Sequence, residues 1–200
     1  MREWILAVVA SWLLAVQPVS PQVAPPAAPA AAPVDRAFPV RGPASYASVH
    51  HDYPAADVFA PCGRPAVSPV DGVVRELTRS DRWDPVTNRG ERRGGRFVSI
   101  EGDDGVRYYL SHFAGVRPEL RVGDRVGAGE RIAWVGRTGS ARGTPCHIHI
   151  GLSPVCRGVG EWRVRRGVVS PYRFLRSWER GGDRSPRAAV AAWEDRHGCR

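Results

Sequence analysis

The chain has no lysine: all 29 of its basic residues are arginine, against 20 Asp and Glu, and the formal net charge is +9. All-arginine usage reflects GC-rich coding as much as any binding role. A basic surface favours anionic partners, and nucleic acid, membrane surface and acidic wall polymer all qualify. The arginines are scattered, however, and few aromatics interleave them. The charge-plus-stacking pattern of a nucleic-acid-binding face is therefore missing. A bilayer span is lacking too. The apolar run Trp4–Val16 is thirteen residues long, short of the ~20 that a spanning helix needs. The four cysteines, Cys62, Cys146, Cys156 and Cys199, include no close Cys-x-x-Cys pair, which argues against a structural zinc cluster. No internal repeat stands out.

What is present reads as one domain with tails. Arg2 followed by Trp4–Val16 has the form of a secretory signal, so residues 1–24 are expected to be a signal peptide or N-terminal anchor. Residues 25–44 are rich in Pro and Ala and read as a semi-extended linker. The body is expected over 45–160, with 161–200 a C-terminal extension packed on it. An export signal implies an oxidising compartment, where an even cysteine count reads as disulfides. Of three possible pairings, closeness in sequence favours Cys146–Cys156, which leaves Cys62–Cys199.

From about Ala66 the chain reads as β. "RFVSIEGDDGVRYYLSHF" is a hairpin, with runs Phe97–Glu101 and Val106–His112 about a turn at Asp103-Asp104-Gly105. Short strands punctuated by glycine continue through "RVGDRVGAGERIAWVG" and "HIHIGL". The expected fold class is mainly β, an antiparallel sandwich or barrel-like domain. Thr78–Gly95 is polar and arginine-rich and reads as a long loop. Helix is expected only late, in "PYRFLRSWERGG" and "SPRAAVAAWEDRHG", as a short C-terminal cap.

Five of the six histidines sit in three short segments, "VHHDYPAAD", "YYLSHF" and "CHIHI". On a strand, residues i and i+2 share a face. His147 and His149 therefore point together, and Ile148 and Ile150 point away. Imidazoles converging on one face suit a metal, and zinc takes nitrogen and oxygen ligands with one position left for water. "HHDYPAAD" can supply the missing ligands from His50, His51, Asp52 and Asp57.

These segments resemble the lysostaphin/LytM-type zinc metallopeptidases, endopeptidases of bacterial peptidoglycan. Three pieces match in order: "HHDYPAADVFAPCGRPAVSPVDGVV", then "YYLSHF" with "GDRVGAGERIAWVGRTG", then the HxH of "CHIHI". The resemblance covers about Tyr46 to Leu152. It implies a LytM-type domain, a zinc ion and peptidoglycan as partner. His51, Asp57 and His149 would be the metal ligands, and His112 and His147 the catalytic residues. The sequence departs from the family at the first motif, where three residues usually separate His and Asp. Five separate His51 from Asp57, and His50 is adjacent, so either histidine can be the ligand, with His51 favoured. Gly136, Gly139 and Gly143 read as a low-bulk loop before the HxH strand. Two other classes remain open on the residues. One is an inactive wall-binding or hydrolase-activating protein of the same fold. The other is a phosphocarrier domain with paired histidines, against which the export segment and the cysteines argue.

Overall fold

The computed structural model describes residues 35–156 and 161–199. The expected signal or anchor, and the linker as far as residue 34, lie outside the described residues. Residues 35–44 were expected as the end of that linker, but they pack on the domain. Val40 is buried, Ala37 N donates to Pro69 O, and Val67 N donates to Pro39 O.

Among the described residues, nine strands form two antiparallel sheets. β1 (Ala56–Phe59), β3 (Gly72–Thr78), β4 (Phe97–Gly102), β5 (Val106–Ser111), β7 (Arg125–Val126) and β9 (His147–Pro154) make a six-stranded sheet in the order β1-β9-β5-β4-β3-β7. β2 (Pro65–Val67), β6 (Gly115–Val116) and β8 (Arg131–Trp134) make the smaller one, ordered β2-β8-β6. Neither closes into a barrel. The expected hairpin is β4–β5, paired Phe97 to Ser111 through Glu101 to Arg107. The expected long loop runs from the end of β3 to Phe97, interrupted by one 3-10 turn at Gly90–Arg92.

The period-two pattern decides which residues face where. Val58, Val98, Ile100, Tyr108, Leu110, Ile148 and Ile150 are fully buried in one core, shared with Ile132 and Ala133 of the small sheet. Burying each aliphatic side chain contributes about 1.5–3 kcal/mol. A one-residue slip of β9 would put imidazoles into that core, so the packing of Ile148 and Ile150 fixes the face on which the histidines stand.

The late helices are α2 (Tyr172–Trp178) and α3 (Arg187–His197), preceded by a short α1 (Trp162–Arg165) that the sequence pattern did not suggest. Phe174, Leu175 and Trp178 of α2 and Val190 of α3 join the core. Arg107, almost wholly buried, pairs with Glu161 at 3.1 Å and donates to Cys156 O at 2.5 Å, tying the extension to β5. Among the described residues, no helix is long and apolar enough to cross a membrane.

The cysteines pair as Cys62–Cys146 and Cys156–Cys199, which corrects the expected pairing. Cys146 and Cys156 flank the eight extended residues of β9. At about 3.3 Å per residue the strand alone holds them some 25 Å apart, far beyond the 4.4–6.8 Å a disulfide allows.

Candidate active site

The face of the large sheet opposite the core is the floor of an open cleft. Across the β1–β9 ladder Asp57 stands opposite His149, and Phe59 opposite His147. On the other side of β9, Ser111 stands opposite His149.

His149 is held from both ends. Its Nδ1 lies 3.0 Å from Asp57 Oδ1 and its Nε2 lies 2.8 Å from Arg166 O. The carbonyl can only accept, so Nε2 carries a proton. A neutral ring then has a lone pair at Nδ1, aimed at a carboxylate. A cation beside Nδ1, or a second ring proton, is required to reconcile the two groups.

His50 completes the cluster. Its Nε2 is 3.7 Å from Asp57 Oδ2, and its ring packs 4.5 Å from Tyr53 and 5.3 Å from His149. Donor atoms of His50, Asp57 and His149 all lie within 4.8 Å of one another. His51 is not in this group. Its side chain is 69% exposed and pairs with Asp52 at 3.0 Å on the cleft rim. The two adjacent rings stack with centroids 4.1 Å apart, the His51 ring on the outer side and the His50 ring against Tyr53.

Burial holds His50 largely neutral, with the charge of His149 adding to it, and brings its pKa down to about 4. Burial alone would raise the Asp57 carboxyl. The hydrogen bond from His149 and the charges of His149, His147 and His50 outweigh it and hold Asp57 well below the usual carboxylate range. The cluster therefore offers two imidazoles and one ionised carboxylate.

Two further histidines face the same space. His147 Nδ1 lies 2.9 Å from Pro145 O, and His112 Nδ1 lies 2.8 Å from Thr138 O. A carbonyl fixes the proton on Nδ1 in each ring, which leaves Nε2 as the basic nitrogen. His147 Nε2 is 4.0 Å from Asp57 Oδ1, and the His112 and His147 rings are 5.0 Å apart. Burial pushes His112 down to about 3, helped by His149 and His147.

His112 follows β5 with φ +68°, a conformation that few non-glycine residues adopt. There its N donates to Gly94 O at 2.9 Å and its O accepts from Thr138 N at 3.3 Å. This turn carries the ring out of the sheet and over the cleft. Gly139 is needed on the same side, because a Cβ there would lie 2.0 Å from Arg93 O. Gly136 has a similarly close neighbour in Ala114, whereas Gly143 faces open space.

All five expected site residues, His51, Asp57, His112, His147 and His149, thus line one cleft, but it is His50 and not His51 whose donor atom lies with those of Asp57 and His149. Sequence reasoning missed the Arg166 carbonyl, which comes from the extension and carries no motif. It also missed β1, whose four residues are too short for a visible pattern.

Residues 51–159 match Peptidase family M23. A protein of Bacillus subtilis (strain 168) named L-Ala–D-Glu endopeptidase is 29% identical over 156 residues, covering 71% of this chain. The chain spans 43% of that relative's length. Among solved structures, the antimicrobial peptidase lysostaphin from Staphylococcus simulans shares the fold with a TM-score of 0.52 at 23% identity, over 69% of this chain and 50% of that one. A candidate glycyl-glycine endopeptidase lytM from Ruminococcus gnavus does so with a TM-score of 0.55 at 23% identity, over 74% and 62%. The family match takes in more than half of the 200 residues, and the chain belongs to peptidase family M23.

Proposed function

We propose that this chain is a zinc-dependent endopeptidase that hydrolyses peptide bonds of peptidoglycan. The observation that carries the reading is the meeting of His50, Asp57 and His149 with the Nε2 atoms of His112 and His147 in one cleft. His50, rather than His51, is the ligand beside Asp57 and His149.

The donor set fits zinc, which takes imidazole nitrogen and carboxylate oxygen. The paired acceptors about His149 fit as well. Metal-binding histidines commonly give their other N–H to a backbone carbonyl, and Arg166 O receives it here. When bound, the ion supplies Lewis acidity, acidifying water and polarising the scissile carbonyl.

The chain's own residues move the proton. His147 Nε2 accepts it from the attacking water as general base. The Asp57 carboxylate, 4.0 Å away, faces the positive charge that the ring gains. The new Nε2–H then faces the tetrahedral oxygen and passes its proton to the leaving amine. His112, held neutral by burial, accepts a hydrogen bond at Nε2 and orients the water. The Bacillus relative's name makes an L-Ala–D-Glu bond one substrate to test. Two disulfides suit export to the cell envelope.

The test is zinc content together with soluble muropeptide release from purified sacculi. A single zinc per chain is expected, lost with release in His50→Ala and His149→Ala but kept in His51→Ala. A protein that neither holds zinc nor releases fragments after zinc is supplied would end the enzyme reading.

A further inference from the structure

Three arginines line the cleft, Arg93, Arg165 and Arg166, and their partners differ. Arg165 pairs with Glu76 and lies over Phe97 and Tyr109, so its charge is met within the protein. Arg93 gives its Nε to the neutral Asn88 Oδ1 at 3.0 Å. Arg166 has no ion pair among the described residues, and its Nε is buried without a hydrogen-bond partner. Its guanidinium lies 3.9 Å from the Tyr53 ring centroid and 5.3 Å from that of Trp162.

An arginine stays protonated at any working pH, and a half-buried charge without a counter-ion is destabilising. Stacking on Tyr53 offsets part of this and holds the plane of the fork. The acid Asp52 on the rim is no substitute. Asp52 feels the charge of Arg166, but its hydrogen-bonded partner is His51. Arg166 thus stands as a fixed cation beside the cluster whose His149 its own backbone carbonyl holds.

We propose that Arg166 is a specificity-determining residue that binds a carboxylate of the peptide substrate, so that the enzyme cuts next to an acidic, unamidated residue. The inference rests on the peptidase reading above. A planar guanidinium recognises a carboxylate through two parallel N–H···O bonds. A carboxamide cannot reproduce that pairing, because one of its two positions is itself a donor. The side chain acts in substrate binding and the backbone carbonyl in positioning His149, so a side-chain substitution separates the two.

The experiment compares muropeptide release from native sacculi with release from sacculi whose carboxyl groups have been converted to carboxamides with carbodiimide and ammonia. The wild type is expected to favour native sacculi by about tenfold, the size of one lost charge-assisted pair of about 1.4 kcal/mol. Arg166→Gln is expected to lower release from native sacculi to near the amidated rate while keeping its zinc. Arg187→Gln, an equal charge change on exposed α3, is expected to keep the wild-type preference, which separates the cleft from general attraction to an anionic wall. Arg166→Met keeps an apolar stem against Tyr53 and replaces the Gln variant should that fail to fold. Equal attack on both substrates by the wild type would overturn the proposal, as would an unchanged preference in a folded Arg166 variant. No release from native sacculi by the wild type would instead bring down the peptidase reading, and this inference with it.

Discussion

The backbone oxygen of Arg166 lies 2.8 Å from Nε2 of His149. This contact joins the C-terminal extension to the centre of the cleft. It depends on two glycines. A Cβ on Gly151 would lie 2.2 Å from Arg166 O, and Gly167 sits at φ +131° with Pro54 O 2.6 Å from where its Cβ would be. Bare backbone on β9 lets the segment after α1 lie directly on the strand, two residues beyond His149.

Gly151→Ala is therefore expected to push the Arg166 carbonyl away and leave His149 free to change tautomer. Loss of such an outer partner typically weakens metal affinity by about 10–100-fold. Zinc competition against a chelating dye would measure it, with the β-sheet content by circular dichroism as control. Unchanged zinc affinity in the folded variant would show that the carbonyl contact is dispensable.

His147→Ala and His112→Ala remove basic nitrogens that are not in the ligand cluster. Each should keep its zinc and lose activity. The loss at His147 is expected at about 10²–10⁴-fold, the usual share of a general base. The loss at His112 is expected to be smaller, because its burial leaves it an orienting acceptor rather than a base. A larger loss at His112 would reverse the assigned roles.

The parts of this site that were legible in the sequence are those fixed by short-range geometry. The period-two alternation of "HIHI" set the face of His147 and His149, and the Asp-Gly turn set the β4–β5 hairpin. What could not be read depends on contacts distant in sequence. His50 and His51 are equivalent as letters, and only packing against Tyr53 and His149 separates them. Cys146 and Cys156 are close along the chain but held apart by the extended strand between them. Arg166 enters through a close approach of backbones, which the sequence marks only by the unremarked Gly151 and Gly167.

Acid should destabilise the metal-free protein through its buried histidines. His112 and His50 fall from an ordinary 6.5 to about 3 and about 4, chiefly through burial. Between pH 6.5 and these values the unfolded chain binds protons that the folded chain refuses, so stability falls as pH falls. It is fully present above pH 6.5 and lost on the way down toward pH 3. Thermal melts of chelator-treated protein should show Tm dropping across that window, with a shallower slope in His112→Gln. A flat Tm from pH 6.5 to 4 would contradict the buried neutral rings.

The two disulfides should differ in what they protect. They close sequence separations of 84 and 43 residues, and doubling a loop changes its closure entropy by only about 0.6 kcal/mol. Loop length therefore barely separates them, and position does. Cys146 directly precedes His147, and Pro145 O beside it fixes the His147 tautomer. Cys156–Cys199 instead ties the end of α3 to the residue two places after β9. Replacing either pair with serine should reduce stability by about 2–5 kcal/mol. Loss of Cys62–Cys146 should in addition lower turnover at temperatures where the protein is still folded, because the carbonyl that holds His147 is released. Cys156→Ser with Cys199→Ser should lower Tm and leave the rate on folded protein near that of the wild type. Equal loss of turnover in the two double variants, measured well below both melting temperatures, would show that the first disulfide has no particular bearing on His147.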